Sequence, residues 1–386
     1  MSVRLARLWV AMALLFLAAG VAYPLFPLYM SSRGLDSVEI GAVASTSALA
    51  STAAAVLLGF YSDSIGRREA LQAAVCAALA GLMPVYSLAE GFGWFLFLHS
   101  AFTSLGGTAM ALSGAVAMDY ITDRRGARFG ALRTSGAVGW VAGTLAGGYL
   151  VERAGYQMVF AASSLAYAAA ALLYGLGARR AGQTAAGHAA LTPLGWSAVL
   201  LLAAVFVASV SNPAYYTFTP LYIVQELGGS ELEASLAFAV TPFAEIPAMI
   251  ALGALSDRVG RFKVLAACLL AFPLRYSLTG LLKDPASVIA VQLLHGLTFA
   301  GLYVVGSAYL ADTAGGATGF ALSLFTAAFN LGGVAGGYLL ALVQARYGYT
   351  SMYLAAAALS TLSLPLLLAS AMLGSRPRAT RRGKQP

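Results

Sequence analysis

The chain has 386 residues, of which 60% are hydrophobic and 10% are charged, and its mean hydropathy is +0.79. Soluble domains are about half apolar and a quarter charged, so this composition excludes a soluble enzyme or binding domain and indicates an integral membrane protein. The net charge of +8 comes without interleaved aromatic and basic residues. We therefore expect the basic side chains to face the lipid bilayer and not nucleic acid.

Apolar runs long enough to cross a bilayer divide the chain into two groups of six spans. The first six cover 8–30, 38–62, 70–89, 92–120, 129–151 and 155–177. The second six cover 194–224, 232–256, 264–282, 286–311, 319–345 and 352–373. A cleaved leader is the alternative for the first run, because Ala18-Ala19-Gly20 would suit a peptidase, but the apolar run continues past it. The pattern predicts an all-α membrane protein of twelve transmembrane helices.

A charged turn that occurs twice indicates that the chain is a duplication. Segments 59–68 and 253–263 carry Gly, Asp, Gly and Arg at the same spacing, offset by 194 residues. The residues of the two turns that we single out are Gly59, Asp63, Gly66, Arg67, Arg68, Gly253, Asp257, Arg258, Gly260 and Arg261. We predict an N-terminal six-helix half at 1–177, a cytoplasmic linker at 178–193, a C-terminal six-helix half at 194–374 and a basic cytoplasmic tail at 375–386.

The distribution of basic residues predicts the orientation in the membrane. With both termini in the cytoplasm, 17 of the 23 Lys and Arg residues lie on that side and 4 on the other. This asymmetry favours cytoplasmic termini in a bacterial-type inner membrane. Cys76 and Cys268 lie inside apolar runs and indicate neither a disulfide nor a metal site, so we expect no metal and no cofactor.

Ionisable residues at membrane depth are the strongest functional candidates, because each costs several kcal/mol unless it is paired or hydrated. Glu245 and Arg275 each lie 12 residues from the second charged turn, which at about 1.5 Å per residue places both about 18 Å from it. His295 lies about ten residues from the opposite surface. A satisfied core histidine is the plainer interpretation of His295 alone, but the level Glu and Arg favour a shared functional layer.

The first half holds a second, shallower pair of charges. Asp119 and Arg133 lie on consecutive helices and are predicted to pair across the hairpin, although Asp119 could instead answer Arg67 and Arg68. Trp140 lies two helical turns beyond Arg133 and therefore on the same face. An aromatic plane beside a charged pair suits a ring-bearing solute, and an ordinary core tryptophan fits the spacing equally well.

The charged turns resemble the signature loop of the major facilitator superfamily, and further repeats extend the resemblance over nearly the whole chain. Pro27-Leu28-Tyr29 recurs as Pro220-Leu221-Tyr222, Gly147-Gly148-Tyr149 recurs as Gly336-Gly337-Tyr338, and His99 recurs as His295. The resemblance implies two pseudo-symmetric six-helix halves that rock about a central site. Because Asp63 and Asp257 lie beside helix ends and basic residues, we also expect the two turns to latch the cytoplasmic ends of the halves in an outward-open state.

Segment 129–140 resembles the lactose permease branch of that superfamily, which includes related nucleoside and phenylpropionate permeases. The resemblance implies that Asp119, Arg133, Trp140 and Glu245 bind the solute and that Glu245, Arg275 and His295 couple protons. Thr298 and Gln292 stand where lactose permease has a carboxylate and a lysine. Four acidic residues lie in or near spans away from the turns, namely Asp119, Glu226, Glu245 and Asp312, and only Glu245 is near the midplane. We therefore expect Glu245 to carry the proton.

These patterns predict a monomeric secondary transporter and not an enzyme, since no nucleophile with a base, no metal cluster and no ATP-binding motif occurs in the sequence. We expect a small polar or ring-bearing organic solute, of the sugar, nucleoside or aromatic acid class, moved by proton symport. Proton-coupled efflux of drugs or sugars is the alternative, suggested by the glycine-rich fifth span. A membrane receptor or scaffold without transport is a third possibility, but it would need a large signalling domain or tail.

Overall fold

A computed structural model describes residues 3–65, 67–121, 125–177, 194–313 and 318–374, and all regular structure in these ranges is helical. The predicted linker and tail lie outside them. The first half contains α1 Val3–Ala22, α2 Phe26–Ser32, α3 Ser37–Ile65, α4 Arg68–Tyr86, α5 Gly91–Tyr120 and α6 Arg125–Gly175. The second contains α7 Trp196–Ser209, α8 Thr219–Leu221, α9 Glu231–Ala239, α10 Thr241–Val259, α11 Arg261–Leu281, α12 Pro285–Val291, α13 Ser307–Thr313, α14 Thr318–Thr361 and α15 Ser363–Gly374.

These helices make twelve membrane crossings. Nine helical segments within the described residues are long and apolar enough to cross a bilayer. Two of them cross twice, because Gly155 in α6 and Gly348 in α14 have φ of 76° and 80° and turn the chain back. Glycine adopts positive φ without strain. The 29-residue helix α3 adds the remaining crossing. The predicted twelve-helix, all-α fold is confirmed.

The first and seventh spans are both interrupted at the centre of the molecule. Pro24 and Pro213 lie at the two interruptions, where the missing N–H breaks the helical hydrogen-bond ladder. Tyr23 and Tyr216 are repeat partners, offset by the 193 residues that also relate the two Pro-Leu-Tyr motifs. Their rings meet edge to face with centroids 6.4 Å apart. The pseudo-twofold axis therefore passes between these two tyrosines.

The two glycines of the repeated Gly-Gly-Tyr motif pack differently. The first contacts its own half, and the second contacts the other half. A Cβ on Gly147 would overlap a backbone carbonyl of α1, and one on Gly336 would overlap the carbonyl that follows α7, so these glycines pack inside their own halves. A Cβ on Gly148 would clash with α9, and one on Gly337 would clash with α3, so these glycines pack against the other half. Close approach of the halves thus depends on Gly148 and Gly337.

The eighth span shows where the halves meet and where they separate. Its first part, α9, packs on α6 of the other half and buries most of its residues, including Phe238. Its second part, α10, packs on its own half, and of its 19 residues only Thr241 and Ser256 are buried. The halves are therefore closed together at the end of the bundle away from the chain termini and diverge toward the other end.

Candidate functional site

Arg275 is the most deeply buried charged side chain in the second half, with 1% of its surface exposed. Nε and Nη2 donate to Oε1 of Gln292 at 3.2 and 2.7 Å. Nη1 lies 2.6 Å from Nδ1 of His295 and 3.2 Å from the hydroxyl of Thr298. The guanidinium carbon lies 4.5 Å from the ring centroid of Tyr215. Within the described residues no carboxylate bonds to Arg275, so neutral acceptors and one aromatic face compensate its charge.

His295 is held between Arg275 and Glu245. A guanidinium can only donate, so Nδ1 of His295 accepts from Arg275 and the ring proton resides on Nε2. Nε2 lies 3.2 Å from Oε1 of Glu245 and 3.4 Å from the hydroxyl of Tyr216. The expected layer of Glu245, Arg275 and His295 is therefore present. Glu245 and Arg275 are connected through the imidazole of His295.

Gly296 explains why two helices come close enough to form this chain. A Cβ at Gly296 would lie 2.6 Å from the carbonyl oxygen of Ala244, the residue before Glu245. Only a glycine permits this contact between the tenth span and α10. The contact brings His295 and Glu245, which precede and follow the two touching residues, within hydrogen-bonding distance.

The structure does not bring Asp119 and Arg133 together. Oδ1 of Asp119 lies 2.9 Å from Nη1 of Arg68, the surface partner that the sequence offered as the alternative. Arg68 begins α4 and Asp119 lies in the last turn of α5, and their side chains are 20% and 22% exposed. Arg133 is exposed, and its guanidinium carbon lies 5.6 Å from the ring centroid of Phe16.

Trp140 belongs to an aromatic group at the pseudo-twofold axis. Its ring centroid lies 5.6 Å from that of Tyr23. Tyr23 in turn contacts Tyr216 and Phe238 of the second half, both with centroids 6.4 Å away. The predicted role of Trp140 in solute binding stays a prediction.

A cavity of about 340 Å³ lies between the halves, bordered by Tyr23 and Tyr216. Both halves contribute to its aromatic walls, which include Tyr23, Phe26, Phe102, Tyr216 and Phe329. Its polar groups are hydroxyls, amides and one imidazole, from Ser51, His99, Thr103, Asn212, Thr217 and Asn330. No Asp, Glu, Lys or Arg of the described residues lines it. A cavity of this size and chemistry fits a small uncharged polar molecule.

These lining residues were not predicted from the sequence, in which His99 stands out only as a repeat. The signal that could have found them is the pair of proline-interrupted spans at corresponding positions of the two halves, since transporter sites form at such interruptions.

Glu69 is a second buried carboxylate, and it was not predicted from the sequence. It is 5% exposed, against 20% for Glu245. Its Oε1 lies 2.7 Å from Nη2 of Arg7, and its Oε2 accepts from the hydroxyl of Tyr120 at 2.9 Å. Glu69 follows Arg67 and Arg68 in the sequence and therefore looked like part of a polar turn. Its contacts join α1, α4 and α5, so it stabilises the first half.

The second charged turn makes its contacts inside its own half. Arg261 lies 3.6 Å from Asp257 and 3.1 Å from Asp312, and Gly260 has φ of 96° at the turn itself. In the first turn, Gly66 and the side chains of residues 59 and 63 lie outside the described residues. The latch between the halves stays a prediction, and the separation of the halves at this end agrees with an open state of it.

Known proteins are similar to this chain over most of its length. Residues 5–355 match the model of the MFS_1 like family. The chain is 26% identical to "Sugar efflux transporter A" of Dickeya chrysanthemi, covering 89% of both chains. It is 30% identical to "Maltose permease" of Geobacillus stearothermophilus, covering 67% of this chain and 66% of that one. The solved structure of the nucleoside transporter NupG superposes with a TM-score of 0.79 at 15% identity, covering 97% of this chain and 100% of that one.

Proposed function

The chain belongs to the MFS_1 like family of membrane transporters, and from this premise we propose that it moves a small uncharged polar solute of the sugar or nucleoside class by proton symport. The observation that carries the proposal is the chain of contacts from Arg275 through His295 to Glu245 beside a cavity between the halves. Separate observations support the class of solute and the identity of the coupled ion.

The walls of the cavity favour an uncharged solute. Aromatic faces pack well against the apolar faces of sugar and base rings, and amides and hydroxyls fix orientation. A carboxylic acid would need a cation that the described lining does not contain. The aromatic acids of the sequence prediction are therefore disfavoured. The names of two relatives, a sugar efflux transporter and a maltose permease, agree with the sugar class.

Proton coupling follows from the protonation of the three-residue chain. Because Arg275 donates to Nδ1 of His295, the imidazole cannot take a second proton while this contact lasts. A proton entering the site must therefore bind Glu245, whose loss of charge weakens its hydrogen bond with His295. Tyr216 contacts His295 and also lines the cavity, so it connects solute binding with the carboxylate.

Symport is favoured over exchange because Glu245 is not among the cavity-lining residues. A proton and a solute can then be bound at the same time, as symport requires. In an exchanger the two would compete for one site. Efflux by proton exchange is the second candidate, and it is favoured by the similarity to a protein named as a sugar efflux transporter over 89% of both chains.

We place the protein in a bacterial inner membrane with both termini in the cytoplasm, because this orientation would put 17 of the 23 basic residues on the cytoplasmic side. With this orientation the structure is closed toward the outside and open toward the cytoplasm. Alternating access would then be a rocking of residues 1–177 against residues 194–374, within one monomer. The linker at 178–193 would tether the two halves.

Uptake into proteoliposomes under an imposed pH gradient tests the coupling. The wild type should concentrate maltose, glucose or uridine when the lumen is alkaline. Glu245→Gln should abolish this accumulation and retain counterflow exchange, which moves no net proton. Glu226→Gln, at the exposed end of the seventh span, is the matched control and should behave as the wild type.

Two results would contradict the proposal. Accumulation by Glu245→Gln would show that the proton binds elsewhere, with Asp119 as the next candidate. Accumulation by the wild type only when the lumen is acidic would establish exchange, and therefore efflux, in place of symport.

A role of Trp140 in solute binding is tested separately. Trp140→Ala should weaken solute binding by about 0.5 to 1.5 kcal/mol beyond the lost contact area if a solute ring stacks on the indole. Trp94→Ala removes an exposed indole at the far end of the first half and is the control. Equal affinities of the two variants would assign Trp140 to packing against Tyr23.

A further inference from the structure

Asn212 is a buried polar residue that the fold does not satisfy. It lies in the interruption of the seventh span, directly before Pro213, and is 9% exposed. Its amide Nδ2 is fully buried and has no hydrogen-bond partner among the described residues. An unpaired buried amide costs folding free energy, so such a group calls for a partner from outside the protein. Asn212 lines the cavity between the halves.

His99 reaches the same cavity from the first half. Its Nδ1 lies 3.2 Å from the hydroxyl of Tyr86, and its ring packs on Phe26 and Phe102 with centroids 5.1 and 6.1 Å apart. Nε2 has no hydrogen-bond partner within the part of the chain that the structure describes. In either tautomer this nitrogen is left with one hydrogen bond to donate or to accept. His295 differs, because both of its nitrogens are engaged by the protein.

We propose that His99 and Asn212 are the two polar anchors of a single hydroxyl-bearing solute, one anchor from each half of the protein. This inference rests on the proposed transport function and assigns its specificity. A hydroxyl both donates and accepts, so it satisfies Nε2 of His99 in either tautomer, and it accepts from Nδ2 of Asn212 once rotation of the side chain brings that buried amide to the cavity surface. The rings of Tyr23, Phe26 and Tyr216 border the same space and provide faces for the C–H groups of a sugar ring.

A solute held in this way bridges the halves next to the pseudo-twofold axis. His99 belongs to α5 of the first half, and Asn212 belongs to the seventh span of the second. A solute that contacts both halves binds most tightly to the conformation in which the halves close around the cavity. Binding therefore favours that conformation, in proportion to the difference in affinity between the states.

The experiment measures the half-saturation concentration for counterflow in proteoliposomes. The probe is the one of maltose, glucose and uridine that the wild type carries fastest. His99→Leu and Asn212→Leu should each raise the half-saturation concentration about tenfold, the effect expected for loss of one well-placed hydrogen bond to the solute. His99→Gln places an amide near the position of Nε2 and should restore most of the affinity. Ser209→Ala removes another unpaired buried polar atom, outside the cavity lining, and should leave it unchanged.

Thermal unfolding in detergent separates a binding role from a structural one. Asn212→Leu removes an unpaired buried amide, so without solute its melting temperature should equal or exceed that of the wild type. The same solute concentration should raise the melting temperature of the wild type by more than that of the variant, whose affinity is lower. A structural role would instead lower the melting temperature and preserve the shift with solute.

Different experimental outcomes would contradict the two anchors and the proposed proton coupling. Unchanged half-saturation concentrations in both leucine variants would overturn the two anchors while proton-driven accumulation and its loss in Glu245→Gln remained. Accumulation that persists in Glu245→Gln would overturn the proposed coupling while leaving the anchors intact. Failure of the wild type to carry any of the three probes would overturn both.

Discussion

His99 and His295 hold corresponding positions in the two halves, yet their surroundings differ in charge. His295 lies between a buried guanidinium and a carboxylate and uses both ring nitrogens. His99 uses one nitrogen for Tyr86 and is otherwise enclosed by phenylalanine rings and the cavity. By the offset of 194 residues, the first-half counterparts of Arg275 and Glu245 are Gly81 and Ser51.

The duplication thus preserved the shape of the halves and not their chemistry. Helix interruptions, tight glycine contacts and turn positions occur twice, because both halves must pack in the same way. A buried charge is expensive in a membrane, and the proposed proton coupling requires only one copy of the charged layer. We infer that the second half handles the proton and that the first half contributes to holding the solute.

The largest expected difference between the two histidine environments is in stability. Arg275→Leu leaves the acceptors on Gln292 and His295 without a donor, and should lower the free energy of unfolding by about 3 kcal/mol. Tyr86→Phe removes one neutral hydrogen bond of His99 and should cost about 1 kcal/mol. Denaturation in detergent micelles measures both, and equal losses would contradict the contrast.

The two histidines should also give different transport defects. His295→Asn interrupts the connection between Arg275 and Glu245, so steady-state accumulation should fall about tenfold while the half-saturation concentration stays nearly constant. His99→Leu should do the opposite. Uptake with and without a pH gradient measures the two parameters separately. If both variants changed the same parameter, the proposed division of tasks would be wrong.

Where the halves are alike, equivalent mutations should have equivalent effects. Gly148→Val and Gly337→Val each place a side chain between the halves at their closed end, so each should lower turnover by several-fold. Gly81→Ala, where a Cβ meets no atom within 4 Å, is the control and should be neutral. Initial uptake rates test this, and a defect in one valine variant alone would show that the contacts are not equivalent.

The smallest effects are expected at the charged turns. Asp257 is 69% exposed, and its ion pair with Arg261 at 3.6 Å is worth little. Asp257→Asn and Asp63→Asn should therefore leave solute affinity within a few-fold and slow turnover by loss of the predicted latch. Normal turnover in both variants would refute the latch.

Glu245, Arg275 and Asp119 illustrate which features of the site could be predicted from the sequence. The spacing of Glu245 and Arg275 from one turn placed them at the same depth, and the structure brings them together through His295. Depth follows directly from helical rise. The pairing of Asp119 was predicted less well, because depth alone does not say which neighbour a side chain faces, and Arg68 is nearer than Arg133.

The sequence by itself determined the twelve spans, the duplication, the expected orientation and the layer of ionisable residues. Each of these depends on hydrophobicity and spacing along one chain, which the bilayer converts into position. Only the tertiary structure decided that His295 separates Arg275 from Glu245, that Glu69 is a buried anchor, and that Asn212 is a cavity residue whose amide nitrogen is unpaired. These features depend on contacts between residues far apart in sequence, and a glycine such as Gly296 sets how closely their helices approach.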